Sequence, residues 1–292
     1  MSRIPTRAMI ISDAHEHSLN RANMPEVDVL LHTGDSTNFG ELEALKDSFK
    51  MMSTIEAELK LVIAGNHDIT LDKQNRAENM SDDEYSEYHQ SALDIMTGQS
   101  AKDARVTYLT EGTRTFSLKN SAKFTVYASP YTCGSMGFQY KINEDRFNNA
   151  TQVAPGQISI ATNPIPEGVD IVMTHGPPHT ILDQVDGSHK GCRNLLRAVG
   201  RVRPLMHCFG HIHEGSGANL VTWKPDGSVK DPSSATPMET EQINEYPYTN
   251  VWPIQSGKQT LMVNTAIMMN TAKGMRPNYK PFVVSLDLPC HH

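Results

Sequence analysis

The chain has 292 residues, 26 of them Lys or Arg against 33 Asp or Glu, and a formal net charge of −7. That length allows one large α/β domain or two average ones. The acidic balance, with no run of Lys or Arg, disfavours nonspecific binding to a polynucleotide backbone, and no segment approaches the length of a membrane span.

Residues 1–7 run almost directly into an apolar, β-branched stretch at 8–11 and include no apolar leader, so no signal peptide is expected. Similar runs at 27–31, 59–63, 169–173 and 205–209 read as buried strands. Between them, Leu42, Leu45, Phe49 and Met52 recur at helical spacing, which predicts an amphipathic helix within 40–58. A second helix is expected over 82–96, opened by a Ser81 cap, and a third over 192–202. Further strands are expected within 107–118 and at 123–129, 261–266 and 282–286. This mixture fits two packed sheets flanked by helices. Cys133, Cys192, Cys208 and Cys290 show no close pairing pattern and read as reduced thiols of a cytoplasmic protein.

Each of the five buried runs is followed by a polar motif. In order these are Asp13-Ala14-His15, Gly34-Asp35, Gly65-Asn66-His67-Asp68, Thr174-His175-Gly176 and Gly210-His211-Ile212-His213. Loops at strand ends are where a rigid sheet can aim side chains at one place. Asp13/His15 and His211/His213 are i, i+2 pairs, so in extended backbone both members would project to the same side. Because the motifs span residues 13–213, that whole stretch must fold around one centre.

The order and content of the motifs resemble the calcineurin-like metallophosphoesterase superfamily. The resemblance implies an α/β/β/α sandwich of two mixed sheets with a binuclear metal site at the strand ends. It implies that Asp13, His15 and His213 hold one metal, that Asn66, His175 and His211 hold the other, and that Asp35 bridges them. This mixed oxygen and imidazole set suits manganese, iron(II/III) or zinc. A bridging carboxylate would hold the two cations roughly 3.5–4 Å apart, so that one water binds both and deprotonates near neutral pH for in-line attack.

His67, beside the ligand Asn66, is the expected acid or charge stabiliser, and Asp68 is expected to hold its ring. A surface ion pair is the alternative for these two. The phosphoprotein phosphatases of the superfamily continue the second motif with an arginine that grips phosphate; here Ser36-Thr37-Asn38-Phe39-Gly40 follows Asp35. Strings such as Ser129-Pro130-Tyr131 and His175-Gly176-Pro177-Pro178 look like the metallophosphoesterase-domain-containing branch, related to class III cyclic-nucleotide phosphodiesterases.

A small phosphodiester of nucleotide type is therefore the expected substrate. A phosphomonoester, a nuclease substrate, or a silent metal-binding regulator are the alternatives. Asn66 and His67 would touch the substrate. Tyr131 and Phe138, on a glycine-containing loop, either stack on its organic arm or form a packed turn. His179, Asp183, Asp186 and His189 read as a polar loop over the site rather than a third metal site. The chain is expected to be one domain, residues 1–292, with an insertion or loop at 224–259 that could be disordered, a lid or a dimer contact. The terminal His291 and His292 read as a free end or a tag remnant.

Overall fold

In the computed structural model of the chain, residues 2–19, 24–74, 80–134, 136–230, 236–237, 254–271, 274–277 and 280–290 are described. Most of the 224–259 stretch, including Tyr246, Tyr248 and Trp252, lies outside them, as do His291 and His292.

The first sheet is built from β1 (Arg3–Ile11), β2 (Val27–His32), β3 (Ala57–Val62) and β4 (Val106–Tyr108), all parallel, with the last strand, β14 (Phe282–Pro289), antiparallel against β1. The second holds β5 (Gly112–Ser117), β6 (Lys123–Ser129), β7 (Ile171–Thr174), β8 (Met206–Phe209), β9 (Gly217–Thr222), β10 (Thr236–Pro237) and β11 (Gln259–Asn264), in spatial order β10-β9-β11-β8-β7-β6-β5. Its centre, β6-β7-β8-β11, is parallel, and β5 and β9 are antiparallel to their neighbours. β12 (Met268–Thr271) and β13 (Gly274–Pro277) form a separate hairpin.

Strand alternation explains the layering. Ala8 and Ile10 of β1 join Val29, Leu31, Phe124, Val126, Ile171, Met206 and Val263 in one buried cluster, so the two sheets face each other there. The other face of the first sheet, through Met9, Ile11, Leu30 and Val62, packs on Leu45, Phe49 and Met52 of α1 (Leu42–Ser53) and on Ala92 and Met96 of α2 (Asp82–Thr97). The outer face of the second, through Tyr127, Val172, Phe209 and Met262, packs on Leu195, Ala198 and Val199 of the C-terminal helix, Arg193–Val202. Strands buried on both faces read as continuous apolar runs, as these do. The result is the four-layer α/β/β/α sandwich expected.

α2 starts where its cap requires: the Ser81 hydroxyl accepts from Glu84 N–H, and Glu84 returns the bond to Ser81 N–H. Several elements had no sequence signal. α3 (Gln99–Asp103) is one turn after Gly98, the last helix (Arg193–Val202) therefore being α4. β9 follows the His213 motif directly and is tied down by Trp223, whose Nε1–H donates to Thr260 Oγ1 at 2.9 Å.

Because β1, β2 and β3 run parallel, and β7 and β8 likewise, the five motif loops leave their sheets at C-terminal ends. Residues past the strands stitch the two sheets together there. Ser12 N–H donates to Thr265 O at 3.1 Å and Ile267 N–H to Ser12 O at 3.1 Å, while Thr265 is held within its own sheet by its N–H to Phe209 O at 2.8 Å.

Candidate metal centre

The ligand-bearing loops depart from extended backbone. Asp13, His15, Asp35 and His211 have φ of 54°, 43°, 54° and 69°, in the left-handed region that side-chain-bearing residues rarely enter. The expectation that the i, i+2 pairs act through extended backbone is corrected accordingly. A chain turning sharply after its strand brings both members of each pair inward instead. Backbone bonds hold these turns: Asp13 N–H to Gly34 O at 2.9 Å, His15 N–H to Asp35 O at 3.1 Å, and Gly210 N–H to His175 O at 2.9 Å. Gly34, at φ 104°, leaves no room for a Cβ, which would stand 2.7 Å from both Gly65 N and His175 Nδ1.

All seven expected ligands converge. Donor atoms of Asp13, His15 and His213 lie within 4.8 Å of one another, as do those of Asp13, Asp35 and His175 and those of His15, Asp35 and His67. Asn66 Oδ1 lies 2.9 Å from His175 Nε2 and 2.8 Å from His211 Nδ1. Asp35 Oδ2 is 3.3 Å from His175 Nε2 and 3.8 Å from His15 Nε2, and Asp13 Oδ1 is 3.3 Å from His213 Nε2. Asp35 therefore sits between the two groups.

The donor chemistry fits cations. His175 Nδ1, 2.9 Å from the Thr33 carbonyl, must donate to it, so a neutral His175 points its Nε2 lone pair at two oxygens that only accept. A proton or a metal must lie between them. His15 is 1% exposed with neither ring nitrogen hydrogen-bonded, and His213 Nδ1 is also unpartnered. Buried imidazole left in that condition is costly unless a metal takes the lone pair.

The electrostatics point the same way. Burial would raise Asp13, but the hydrogen bond and charge of His213, with His175 and His15, hold its carboxyl far below the usual range. Burial disfavours a charged His175, yet the Asp35 carboxylate beside it and Asp13 push it up to about 9. His211 is pushed down to about 4 by burial and by the His175 charge. The two buried carboxylates thus draw in positive charge, as a proton if nothing else.

The model of the calcineurin-like phosphoesterase family matches residues 6–215. The chain belongs to that family. Its relatives include the human and mouse metallophosphoesterase domain-containing protein 1, each 34% identical over 218 residues, 73% of this chain and 62% of theirs. A probable rhamnogalacturonate lyase C of Emericella nidulans is 32% identical over 221 residues, 74% of this chain but only 18% of that protein. The match thus spans less than two thirds of each relative. Purple acid phosphatase from yellow lupin superposes with a TM-score of 0.44 at 11% identity, covering 98% of this chain and 55% of that one, a likeness too weak to add to the fold described above.

Around the calcineurin-like phosphoesterase centre, two expectations need correction. Asp68 does not hold the His67 ring. Its carboxylate accepts from Gly65 N–H (2.9 Å), Ser36 N–H (3.3 Å), Thr37 N–H (3.0 Å) and Thr37 Oγ1–H (2.8 Å), tying the β2 loop to the β3 loop. His67 instead gives its Nδ1–H to the Asn38 carbonyl at 2.8 Å and its backbone N–H to Asp35 Oδ1 at 2.8 Å. Its ring stands edge-on to His15, centroids 4.8 Å apart. The surface-pair alternative fails as well, since Asp68 is 1% exposed.

The loop after β6 is a packed turn. Phe138 is buried in the α1/α2-side core and donates its N–H to Asp72 Oδ2 at 2.6 Å. One face of Tyr131 is covered by the Arg146 guanidinium, 3.3 Å from the ring centroid, and Arg146 in turn is paired with Glu111. Gly137 N–H donates to Asn66 O at 2.9 Å, so the loop braces an expected ligand. Asp183 closes a polar loop, accepting from His189 Nδ1 (2.6 Å), Gly191 N–H (2.8 Å) and Thr180 N–H (3.0 Å), with no third metal cluster among the described residues. The carbonyls of Thr33 and Asn38, which orient His175 and His67, carry no side-chain signature and escaped the sequence reading.

Proposed function

We propose that this calcineurin-like phosphoesterase is a two-metal phosphodiesterase acting on a small diester of nucleotide type. The observation that carries the proposal is the convergence of His175 Nε2, Asn66 Oδ1, His211 Nδ1 and Asp35 Oδ2 beside a second group, Asp13, His15 and His213. Bound there, manganese, iron or zinc would supply Lewis acidity toward the phosphoryl oxygens and an activated water. Asp13, His15 and His213 would hold one ion, Asn66, His175 and His211 the other, and Asp35 both.

His67 does the proton work in this reading. With Nδ1–H committed to Asn38 O, the imidazolium form of His67 would give its Nε2 proton to the departing ester oxygen, leaving the neutral Nδ1–H tautomer, or would face the phosphoryl charge. Asn66 and His67 meet the substrate from the same loop.

A diester is favoured because no Lys or Arg bonds to a metal-motif side chain among the described residues, and Phe39 stands where the phosphatase-type arginine would lie. A dianionic monoester gains most from such fixed cations. The four free cysteines suit a reducing compartment, and no helix among the described residues is long and apolar enough to cross a membrane.

Metal-loaded protein should hydrolyse bis(p-nitrophenyl) phosphate with a higher kcat/KM than p-nitrophenyl phosphate at matched pH. A clear advantage for the monoester would make it a phosphomonoesterase. No turnover with two metals bound would make it a silent metal-binding protein.

A further inference from the structure

Of the two aromatic rings on the β6 loop, Phe138 is buried and Tyr131 has one face covered by Arg146. A third ring stands in solvent. Phe39 is 58% exposed, the one aromatic among the exposed large apolar side chains of the described residues. Its centroid lies 6.3 Å from that of His67, tilted by 50°, and His67 in turn lies 4.8 Å from His15. Phe39 thus stands one ring beyond His67, the imidazole proposed to serve the leaving oxygen.

The backbone presenting it is pinned on both sides. Asn38 N–H donates to Glu16 Oε1 at 3.0 Å and Asn38 O accepts from His67 Nδ1. Gly40, in the left-handed region at φ 76°, donates its N–H to Thr37 Oγ1 at 2.9 Å and accepts from Thr70 Oγ1 at 2.6 Å. A ring held outward by a turn fixed at both ends would bind with little ordering cost. Burying it in the core would have been available to a looser loop; here the fixed turn keeps it in solvent.

We infer that Phe39 is the platform on which a planar arm of the substrate stacks, making it the residue that selects diesters carrying a nucleobase or aryl group. The inference rests on the proposed phosphodiesterase reading, with the phosphoryl group at the metals and the organic arm extending past His67. Stacking of a base on an aromatic side chain contributes about 1–3 kcal/mol, which corresponds to roughly 5- to 150-fold in affinity.

The test uses metal-loaded full-length protein, with bis(p-nitrophenyl) phosphate as substrate and 5′-AMP and inorganic phosphate as ligands measured by calorimetry. Phe39→Ala should weaken 5′-AMP binding about tenfold or more and raise the KM of the diaryl diester similarly, with kcat changed less than about threefold. Inorganic phosphate should bind the variant and the wild type alike. Phe39→Trp should restore 5′-AMP binding, and Phe39→Leu should not fully do so. Unchanged 5′-AMP affinity in Phe39→Ala overturns the inference, as does an equal loss for phosphate, which would mean a disturbed metal site. Absence of turnover in the wild type with Phe39-dependent 5′-AMP binding would instead reject the phosphodiesterase reading and leave the platform standing.

Discussion

Because the His67 ring is anchored by the Asn38 carbonyl and not by the side chain of an expected metal ligand, His67→Ala should keep full metal content while lowering turnover by about 10² to 10⁴. Metal analysis beside steady-state kinetics checks both halves, and near-normal turnover would remove His67 from the proton transfer. Asp68 makes the opposite prediction. Asp68→Ala strips partners from buried N–H groups of Gly65, Ser36 and Thr37, each costing about 1–3 kcal/mol if left unpaired. Its main effect should be a large fall in Tm and loosened metal binding. A variant of wild-type stability with only slowed turnover would restore the ring-holding role to Asp68. The sequence could show that a carboxylate follows His67, but not that the β3 loop turns so that this carboxylate faces the β2 loop instead.

At the scale of elements, what was legible followed from periodicity. The five buried runs, the two long helices and the α4 span all stand within a few residues of their expected places, because strands covered on both faces and amphipathic helices leave strong patterns. α3 is too short for a periodic signal, and β9 buries only Ala218 and Val221, three residues apart, which leaves no period-2 pattern. The left-handed turns at Asp13, His15, Asp35 and His211 broke the rule that i, i+2 residues share a side, since that rule holds only in extended chain.

β8 also makes a pH prediction. Thr174 Oγ1–H donates to Gly176 O, so His207 Nε2–H must donate to Thr174 Oγ1 at 2.8 Å, and its Nδ1 is unpartnered. Burial pushes this imidazole down to about 3 from an ordinary 6.5. The unfolded chain then takes up a proton near pH 6.5 that the folded chain refuses until about 3, so this contribution is complete above about 6.5 and lost as pH falls toward 3. Between pH 8 and 5.5 wild-type Tm should fall more than that of His207→Gln; parallel curves would contradict the assignment.

Across the whole molecule, the metal motifs close the gap between two sheets that otherwise meet through apolar contact. Bound cations should therefore stabilise the fold as well as the chemistry, by about 2.7 kcal/mol when free metal is a hundredfold above its Kd. Chelation should lower Tm reversibly. The convergence of ligands was legible in the order of motifs; the identity of the stacking ring was not, because exposure of Phe39 and burial of Phe138 depend on packing that no local pattern records. The claim on which the rest stands is that Asp35 lies between two cations. Metal content of wild type and Asp35→Ala, measured at equal loading with folded-state circular dichroism as control, tests it most directly. Two equivalents per chain in the wild type, and the loss of at least one in the variant because two unshielded cations repel, are expected. Two equivalents retained in Asp35→Ala, or no more than one in the wild type, would contradict it.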